Sequence, residues 1–423
     1  MTLPPPPGAS AEKGFRCPPL HPVKERALVQ RGLTALEDAV VMTQIDGGGP
    51  VVWTVHSRTK DVTVYAGRDM HQFHSMFLAT TQVHGTLNEV ADLFRPYDRV
   101  ADMTCTDTDD VVDSAALYDL ALPTPNHPRN YVGVKWQALA PHVPMVRKRD
   151  ACVVEVHDDF EIKGVKGWAR ASTSVEVEAC PNLEQSRGFV RMHIHHFAHV
   201  FHESLAQPGY VHAALLFQGD FGGRLPRWVC DSLSLKRIRS LATLDDQLQR
   251  QRLSQSHFLL PHQLEPLSLV HMCMLCSRRF GRLSKKVHCL RCGHVVCRRC
   301  QQAWQLGRDR RCQVHICHAC SLDPTMTSSV AGSIDGGRGA FALSTTTFPA
   351  FLIRHSTGTT SSVHDSSAVD NLSSTESIHT VKLLESPLHH LLATFPFHDD
   401  RPYNPPTLRP SKGDYVPVVL YDG

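Results

Sequence analysis

The 423 residues are 42% hydrophobic and 20% charged, an ordinary soluble composition with length for about two or three domains, which excludes a collagen, a coiled coil and a wholly disordered chain. No uncharged apolar run approaches the roughly 18 residues a membrane span needs, and the start, Met1-Thr2-Leu3 followed by Pro4 to Pro7, has no apolar signal-peptide core. The 44 basic and 41 acidic residues leave a net charge of only +3, but eleven of the basic residues and a single acid, Asp309, fall between Cys273 and Cys320; that short region is the expected contact for an anionic surface.

Residues 1–21 are proline-rich and predict a disordered leader, with folded structure beginning at Pro22. Ala27, Leu28, Leu33, Leu36, Val40 and Val41 recur at three- to five-residue intervals, as in an amphipathic helix. Val51 to His56 and Val62 to Ala66 then form a hairpin pattern across a charged loop, and a third strand is expected over Phe73 to Val83. Thr86 with Glu89 three positions on is a helix capping box, followed by the apolar Val90, Leu93 and Phe94. A second short helix is expected over Val111 to Leu120.

Five β-rich segments come next: Tyr131 to Ala138, Ala151 to Val156, Val165 to Val177, Phe189 to Phe201 and Tyr210 to Gln218. Turn signals at Pro141, Pro181-Asn182 and Pro208-Gly209 separate them, as an antiparallel meander requires. After Gly222-Gly223, Pro226 suits a first helical turn, and Trp228, Leu235, Ile238, Leu241, Leu244 and Leu248 continue a helical period to Arg252, about seven turns.

This order, with the phrases Tyr131-Val132, Lys135-Trp136, Arg149-Asp150, Gly167-Trp168, Cys180-Pro181, Val190-Arg191 and Gly223-Arg224-Leu225-Pro226-x-Trp228, resembles the START lipid-transfer family. The resemblance covers residues 22–254 and implies an α+β helix-grip fold, in which an antiparallel sheet and a long C-terminal helix enclose a lipid-binding cavity. Arg149 and Asp150 are neighbours on a strand, so only one can point inward; Arg149 is the candidate polar residue of that cavity. His193, His195, His196, His199 and His202 do not keep a common two-residue period and are expected on the surface or lining the cavity rather than on a metal.

Five cysteines, Cys17, Cys105, Cys152, Cys180 and Cys230, lie singly, while nine of the fourteen crowd between positions 273 and 320. Lone thiols suit a reducing, cytoplasmic setting. The crowd contains four CxxC pairs: Cys273 and Cys276, Cys289 and Cys292, Cys297 and Cys300, Cys317 and Cys320. Eight thiolates fill two tetrahedral zinc sites. Some 50 residues hold almost no apolar core, so two zinc ions must supply most of the folding free energy, on the order of 10 kcal/mol or more per ion. Cys312 is left over and is expected as a free thiol beside His315.

Phe280 four residues after Cys276, Lys285-Lys286 before His288-Cys289, Cys292-Gly293 and the four-residue step to Cys297 make residues 269–322 similar to a FYVE zinc finger. The resemblance implies a cross-brace, with Cys273, Cys276, Cys297 and Cys300 on one ion and Cys289, Cys292, Cys317 and Cys320 on the other. It also implies phosphatidylinositol 3-phosphate binding on endosomal membranes, through basic residues that this chain keeps in part. Lys285, Lys286, His288 and Arg291 remain, but Val287 and Leu290 replace a histidine and an arginine, the window at Leu264 to Leu267 lacks the family's tryptophan and aspartate, and His315 and Ile316 stand before Cys317 where the family has a further arginine. Leu283, between Arg282 and Ser284, is the candidate membrane-inserting side chain. A net positive finger fits an anionic leaflet even where 3-phosphate specificity is weakened.

Residues 255–268 read as a linker and 323–423 as a disordered tail, since Thr325 to Thr380 holds 22 serines and threonines in 56 residues and the end is rich in proline. Val381 to Leu384 and Leu388 to Phe397 are candidate motifs for protein partners. The expected function is non-enzymatic lipid binding or sensing with peripheral attachment to endosomal or other anionic membranes. The alternative is a zinc-dependent interaction scaffold or RING-like ubiquitin ligase, disfavoured by Cys292 at the fourth ligand position. Nucleic acid is not an expected partner, for no ordered basic helix accompanies the cluster.

Overall fold

The structure, a computed structural model, describes residues 14–45, 49–68, 75–95, 111–141, 143–282, 284–306, 312–322 and 382–383. Helix α1 (Pro22–Met42) starts where His21 accepts a hydrogen bond from the Val23 backbone and Pro22 occupies the first turn. Its buried stripe includes Val29, Leu33, Leu36, Ala39 and Val40. Strands β1 (Val52–Arg58), β2 (Thr63–Arg68) and β3 (Met76–His84) follow, and then helix α2 (Leu87–Asp92), whose capping box is present as expected: the Glu89 N–H donates to Thr86 Oγ1 and the Thr86 N–H to Glu89 Oε2.

The segment expected as a second short helix is instead a strand, β4 (Val111–Ala121). Its alanines and leucines favour a helix locally, but the open edge of β5 (Tyr131–Leu139) offers a full row of backbone partners, and Ala115 and Leu117, two apart, are the pair that becomes buried. Three register irregularities between β4 and β5 record the imperfect fit. The meander continues through β6 (Arg149–Ile162), β7 (Val165–Ser174), the short helix α3 (Glu184–Arg187), β8 (Val190–Arg191), β9 (His193–Glu203) and β10 (Tyr210–Asp220). Lys163 and Gly164, both at positive φ, make the two-residue turn between β6 and β7.

The main strands lie in the order β1-β2-β3-β10-β9-β7-β6-β5-β4, with β8 pairing beside β6. Helix α1 packs on one face, against Leu78, Val154, Val156, Ala169, Ala171 and Val200. The other face, here called the front, carries Val153, Trp168, Phe197, Phe201, Leu215 and Phe217 and is closed by α4 (Arg227–Arg239) and α5 (Leu244–Ser254), joined by a 3-10 turn at Ser240–Thr243. The single seven-turn helix expected there is thus broken. Ser240 Oγ donates to the Arg237 carbonyl and Thr243 Oγ1 to that of Ser240, contacts that bend helices. Pro226 is the N-cap of α4 rather than a residue of its first turn, and Trp228 stands exposed, whereas Val229, Leu233, Ile238, Leu241, Leu244 and Leu248 point into the core.

The end of the expected leader is held down: Phe15 is buried, 5.1 Å from the Trp136 ring, with Arg187 over both. In the expected tail, Lys382–Leu383 form β15, which pairs with β6 at Glu161 and Phe160; the rest of 323–423 lies outside the described residues.

Two short hairpins make the last domain, β11 (Lys286–His288) with β12 (Val295–Cys297) and β13 (Gln301–Leu306) with β14 (Cys312–Cys317), followed by helix α6 (His318–Leu322). Their small core joins Val296, Trp304, Leu306 and Ile316 to the sulfurs of Cys273, Cys289, Cys317 and Cys320, and Leu253 from the end of α5 is buried in it. Within 255–268 the Leu259 N–H donates to the Leu290 carbonyl, so this segment runs against the finger.

Candidate metal centres and basic pocket

The expected pairing of sulfurs is observed. Cys273, Cys276, Cys297 and Cys300 converge in one tetrad and Cys289, Cys292, Cys317 and Cys320 in the other, the sulfurs of each lying within 4.8 Å of one another. A zinc ion with four Zn–S bonds of about 2.3 Å requires sulfurs about 3.8 Å apart; Cys276 to Cys297 is 3.8 Å and Cys292 to Cys317 is 4.0 Å. All-sulfur donor sets of this size and shape fit two zinc ions.

Local backbone geometry builds both knuckles. The Ser277 N–H returns to the Cys273 carbonyl and the Gly293 N–H to that of Cys289, turns that need positive φ at Ser277 and Gly293. Backbone donors also face the sulfurs, Cys297 N–H to Cys273 Sγ and Cys317 N–H to Cys289 Sγ, both at 3.3 Å. Burial pushes the Cys273 thiol up, but the surrounding backbone N–H groups outweigh it and hold the pKa at about 6, which favours the metal-binding thiolate. Cys312 stands outside both tetrads, and its side chain lies outside the described residues.

Beside the second tetrad is a depression of about 520 Å³ lined by Lys285, Lys286, Val287, His288, Leu290, Arg298, Gln301 and His315. Three of the four basic residues singled out in the sequence meet there. Lys286 Nζ donates to the Leu267 carbonyl (2.7 Å) and stands 5.6 Å from the Phe280 ring, while His288 Nε2 lies 2.7 Å from the Glu265 carbonyl oxygen. The fourth, Arg291, turns inward: it is buried and donates to the Cys320 carbonyl at 2.6 Å, bracing the second knuckle. Leu283 lies outside the described residues. Arg298, His315 and Gln301 escape the sequence pattern because β13 and β14 carry them to the pocket from beyond the motif; Gln301 Oε1 receives His315 Nδ1 at 2.9 Å.

Arg149 is buried, but it ties β6 to the loop after β10, donating to the carbonyls of Phe221 (3.2 Å), Gly222 (3.5 Å) and Arg147, and burial lowers its pKa. Asp150, on the opposite side as expected, accepts from Trp136 Nε1 and from both ends of the Arg191 guanidinium. Further along the same face of β6 as Arg149 lies a second cluster of buried charges. Glu155 receives Lys135 Nζ at 2.9 Å and Arg170 Nη2 at 3.0 Å, with His157 Nε2 at 2.8 Å and Ser172 Oγ at 3.4 Å. All five are nearly inaccessible to water, and Arg170 also covers the Phe94 ring at 4.9 Å. Burial pushes the Glu155 carboxyl up, but Arg170, Lys135 and His157 overcome this and hold it well below the usual carboxylate range, whereas burial pushes the His157 imidazole down. His199 lies buried nearby, its ring 4.7 Å from that of Phe94.

Residues 263–326 match the family model of the FYVE zinc finger. These residues form a FYVE-type finger, preceded by a domain with the helix-grip arrangement that the START resemblance implies. That domain is similar to human StAR-related lipid transfer protein 5, at 18% identity over 53% of this chain and 98% of the other, with a TM-score of 0.43. It is also similar to human STARD10, at 17% identity over 54% of this chain and 83% of the other (TM-score 0.39). A further likeness is to a STAR-related lipid transfer protein fragment from Xanthomonas axonopodis, at 16% identity over 47% and 98% (TM-score 0.35). No curated protein matches the sequence. Among the described residues no helix is long and apolar enough to cross a membrane.

Proposed function

We propose that this chain is a non-enzymatic lipid-binding protein of the cytoplasm, held peripherally at anionic membranes by its FYVE finger. The observation that carries the reading is the basic pocket beside the second cysteine tetrad. There Lys285 and Arg298 form no ion pair with an acid among the described residues, and Lys286 and His288 are already positioned by backbone carbonyls. A lipid phosphate entering the pocket exchanges water for charge-assisted hydrogen bonds. Two family arginines are absent, a loss of about 1.5–3 kcal/mol each for bonds to a charged group, and Arg298 adds a guanidinium to the lining.

The helix-grip domain contributes the second lipid contact. Between its front face and the closing helices, apolar side chains surround the Lys135, Glu155 and Arg170 cluster, a setting suited to an acyl chain with a polar head to orient. Linking the two contacts raises the effective concentration of each at the membrane. Endosomal attachment follows if the pocket prefers a 3-phosphoinositide.

Sedimentation of the full chain with phosphatidylcholine vesicles carrying phosphatidylserine, with or without phosphatidylinositol 3-phosphate, tests this reading. It expects binding to anionic vesicles that weakens with salt and a further gain with the 3-phosphoinositide. An absence of binding to every anionic vesicle overturns it.

A further inference from the structure

Residues 255–267 connect the basic pocket to the helix that closes the front face. Two of the pocket's cationic side chains are engaged by this segment: Lys286 Nζ donates to the Leu267 carbonyl and His288 Nε2 to the Glu265 carbonyl, both at 2.7 Å. Upstream, the Leu259 N–H donates at 2.8 Å to the carbonyl of Leu290, which lines the same pocket, and Phe258 packs on the small core of the finger. Leu253, in the last turn of α5, is buried in that core beside Trp304 and Ile316. The rest of α5 belongs to the other domain. Leu244 and Leu248 pack on the front face, and Arg252 donates to Glu89 at 2.7 Å and to the His84 carbonyl at 2.8 Å. The break at Ser240–Thr243 separates α5 from α4, and a helix of only 11 residues is marginal in water by itself. The place of α5 therefore depends on the contacts along it, those with the finger included.

We propose that residues 255–267 are a latch between the two domains: while the carbonyls of Glu265 and Leu267 hold His288 and Lys286, α5 stays closed on the front face, and a lipid phosphate that takes those two side chains frees the segment and loosens α5. A carbonyl and a phosphate compete here for the same donors, and the phosphate, being ionised, makes the stronger bonds. Glu265 and Leu267 are exposed, so their released carbonyls turn to water and no buried group is left unpaired. Leu290 carries the change toward α5, being at once a lining residue of the pocket and the acceptor of the Leu259 N–H. Once that bond and the cover of Phe258 loosen, Leu253 loses part of its packing and the last turn of α5 is held by Arg252 alone. The front face then opens where the finger has met a membrane. Linkage requires the converse, so that whatever holds α5 shut weakens phosphate binding in the pocket by the same factor.

The inference rests on the membrane reading above, and hydrogen–deuterium exchange separates the two. The full chain is exchanged in phosphate-free buffer, with inorganic phosphate, with phosphatidylcholine vesicles, and with phosphatidylcholine vesicles carrying phosphatidylserine and phosphatidylinositol 3-phosphate. The expected result is exchange about tenfold faster over residues 244–259 on the phosphoinositide vesicles only, with the amides of β6, β7, β9 and β10 unchanged. Lys286→Ala, alone and together with His288→Ala, should show faster exchange of the same residues already in buffer, with two zinc ions retained. Parent-like exchange by these variants in buffer overturns the latch alone, and if the double variant loses zinc, Lys286→Ala by itself decides. Unchanged exchange over 244–259 on vesicles that do sediment the chain also overturns the latch alone. Equal loosening by inorganic phosphate overturns a membrane lipid as the trigger. A parent that binds no anionic vesicle overturns the membrane reading and the latch with it.

Discussion

Replacing Glu155 by glutamine removes a carboxylate that Lys135 and Arg170 share on the front face. The side chains of all three are no more than 4% exposed, and the contacts span 2.9 to 3.0 Å. The amide fills the same volume, so the change is electrostatic rather than steric. The two cations then lose this shared carboxylate in a water-poor layer, and breaking a buried pair from one side costs about 3–5 kcal/mol. For a domain of this size each kcal/mol shifts Tm by about 2–4 °C, so Glu155→Gln should lower it by roughly 10 °C. Thermal unfolding followed by near-ultraviolet circular dichroism reads this, since Trp136 and Trp168 lie in the same domain. A triple replacement of Lys135, Glu155 and Arg170 by methionine should regain most of the stability, because apolar side chains of similar volume replace buried ion pairs at little or no cost. A Glu155→Gln variant within about 1 kcal/mol of the parent would refute the argument that this cluster is a closed, desolvated network.

Acid should expose the same network. The unfolded chain binds a proton on His157 near pH 6.5, while burial keeps the native imidazole neutral to lower pH. Stability therefore falls as pH drops below about 6.5, until the native pKa is reached. Glu155, depressed in the folded state, adds stability that is complete above about pH 4.5 and is lost as pH falls further. Denaturant unfolding of His157→Gln beside the parent should give a shallower loss between about pH 6.5 and pH 5; equal slopes contradict the assignment. In the finger, Lys285→Ala with Arg298→Ala should weaken binding to anionic vesicles about tenfold and flatten its salt dependence, whereas Arg291→Ala should leave that dependence intact and speed zinc loss to a colorimetric chelator. Ser277 sits at φ 54 in the first knuckle. Since a left-handed residue other than glycine carries about 1–2 kcal/mol of strain, Ser277→Gly should slow zinc release, and faster release would contradict that conformation.

The zinc ligands were legible because their chemistry is local: a CxxC turn presents two sulfurs wherever it occurs, and only the partnering of the pairs needs the fold. The capping box at Thr86 and Glu89 was equally local. Other features depend on partners distant in sequence. Val111 to Ala121 became a strand because β5 had a vacant edge, which no property of the segment itself announces. The closing helix breaks at Ser240 and Thr243, two hydroxyls set within an otherwise unbroken apolar period. Arg149 was singled out beside Asp150, whereas the cluster of Lys135, Glu155, His157 and Arg170 further along the same face was not. Their strands are buried on both faces, so hydrophobic alternation does not reveal which charge points inward. An isolated charge within an apolar strand run was the available signal. Arg298 and His315 reach the pocket only through the β13–β14 pairing, beyond the reach of a contiguous motif.

Zinc stoichiometry under chelation tests the central claim most directly. Elemental analysis of the purified chain should give two zinc ions. Stripping them with a strong chelator should unfold residues around Trp304, whose ring is buried among the ligand sulfurs, and abolish vesicle binding, while the helix-grip domain keeps its own thermal transition. A metal-free chain whose finger keeps its fold in chelator would contradict it.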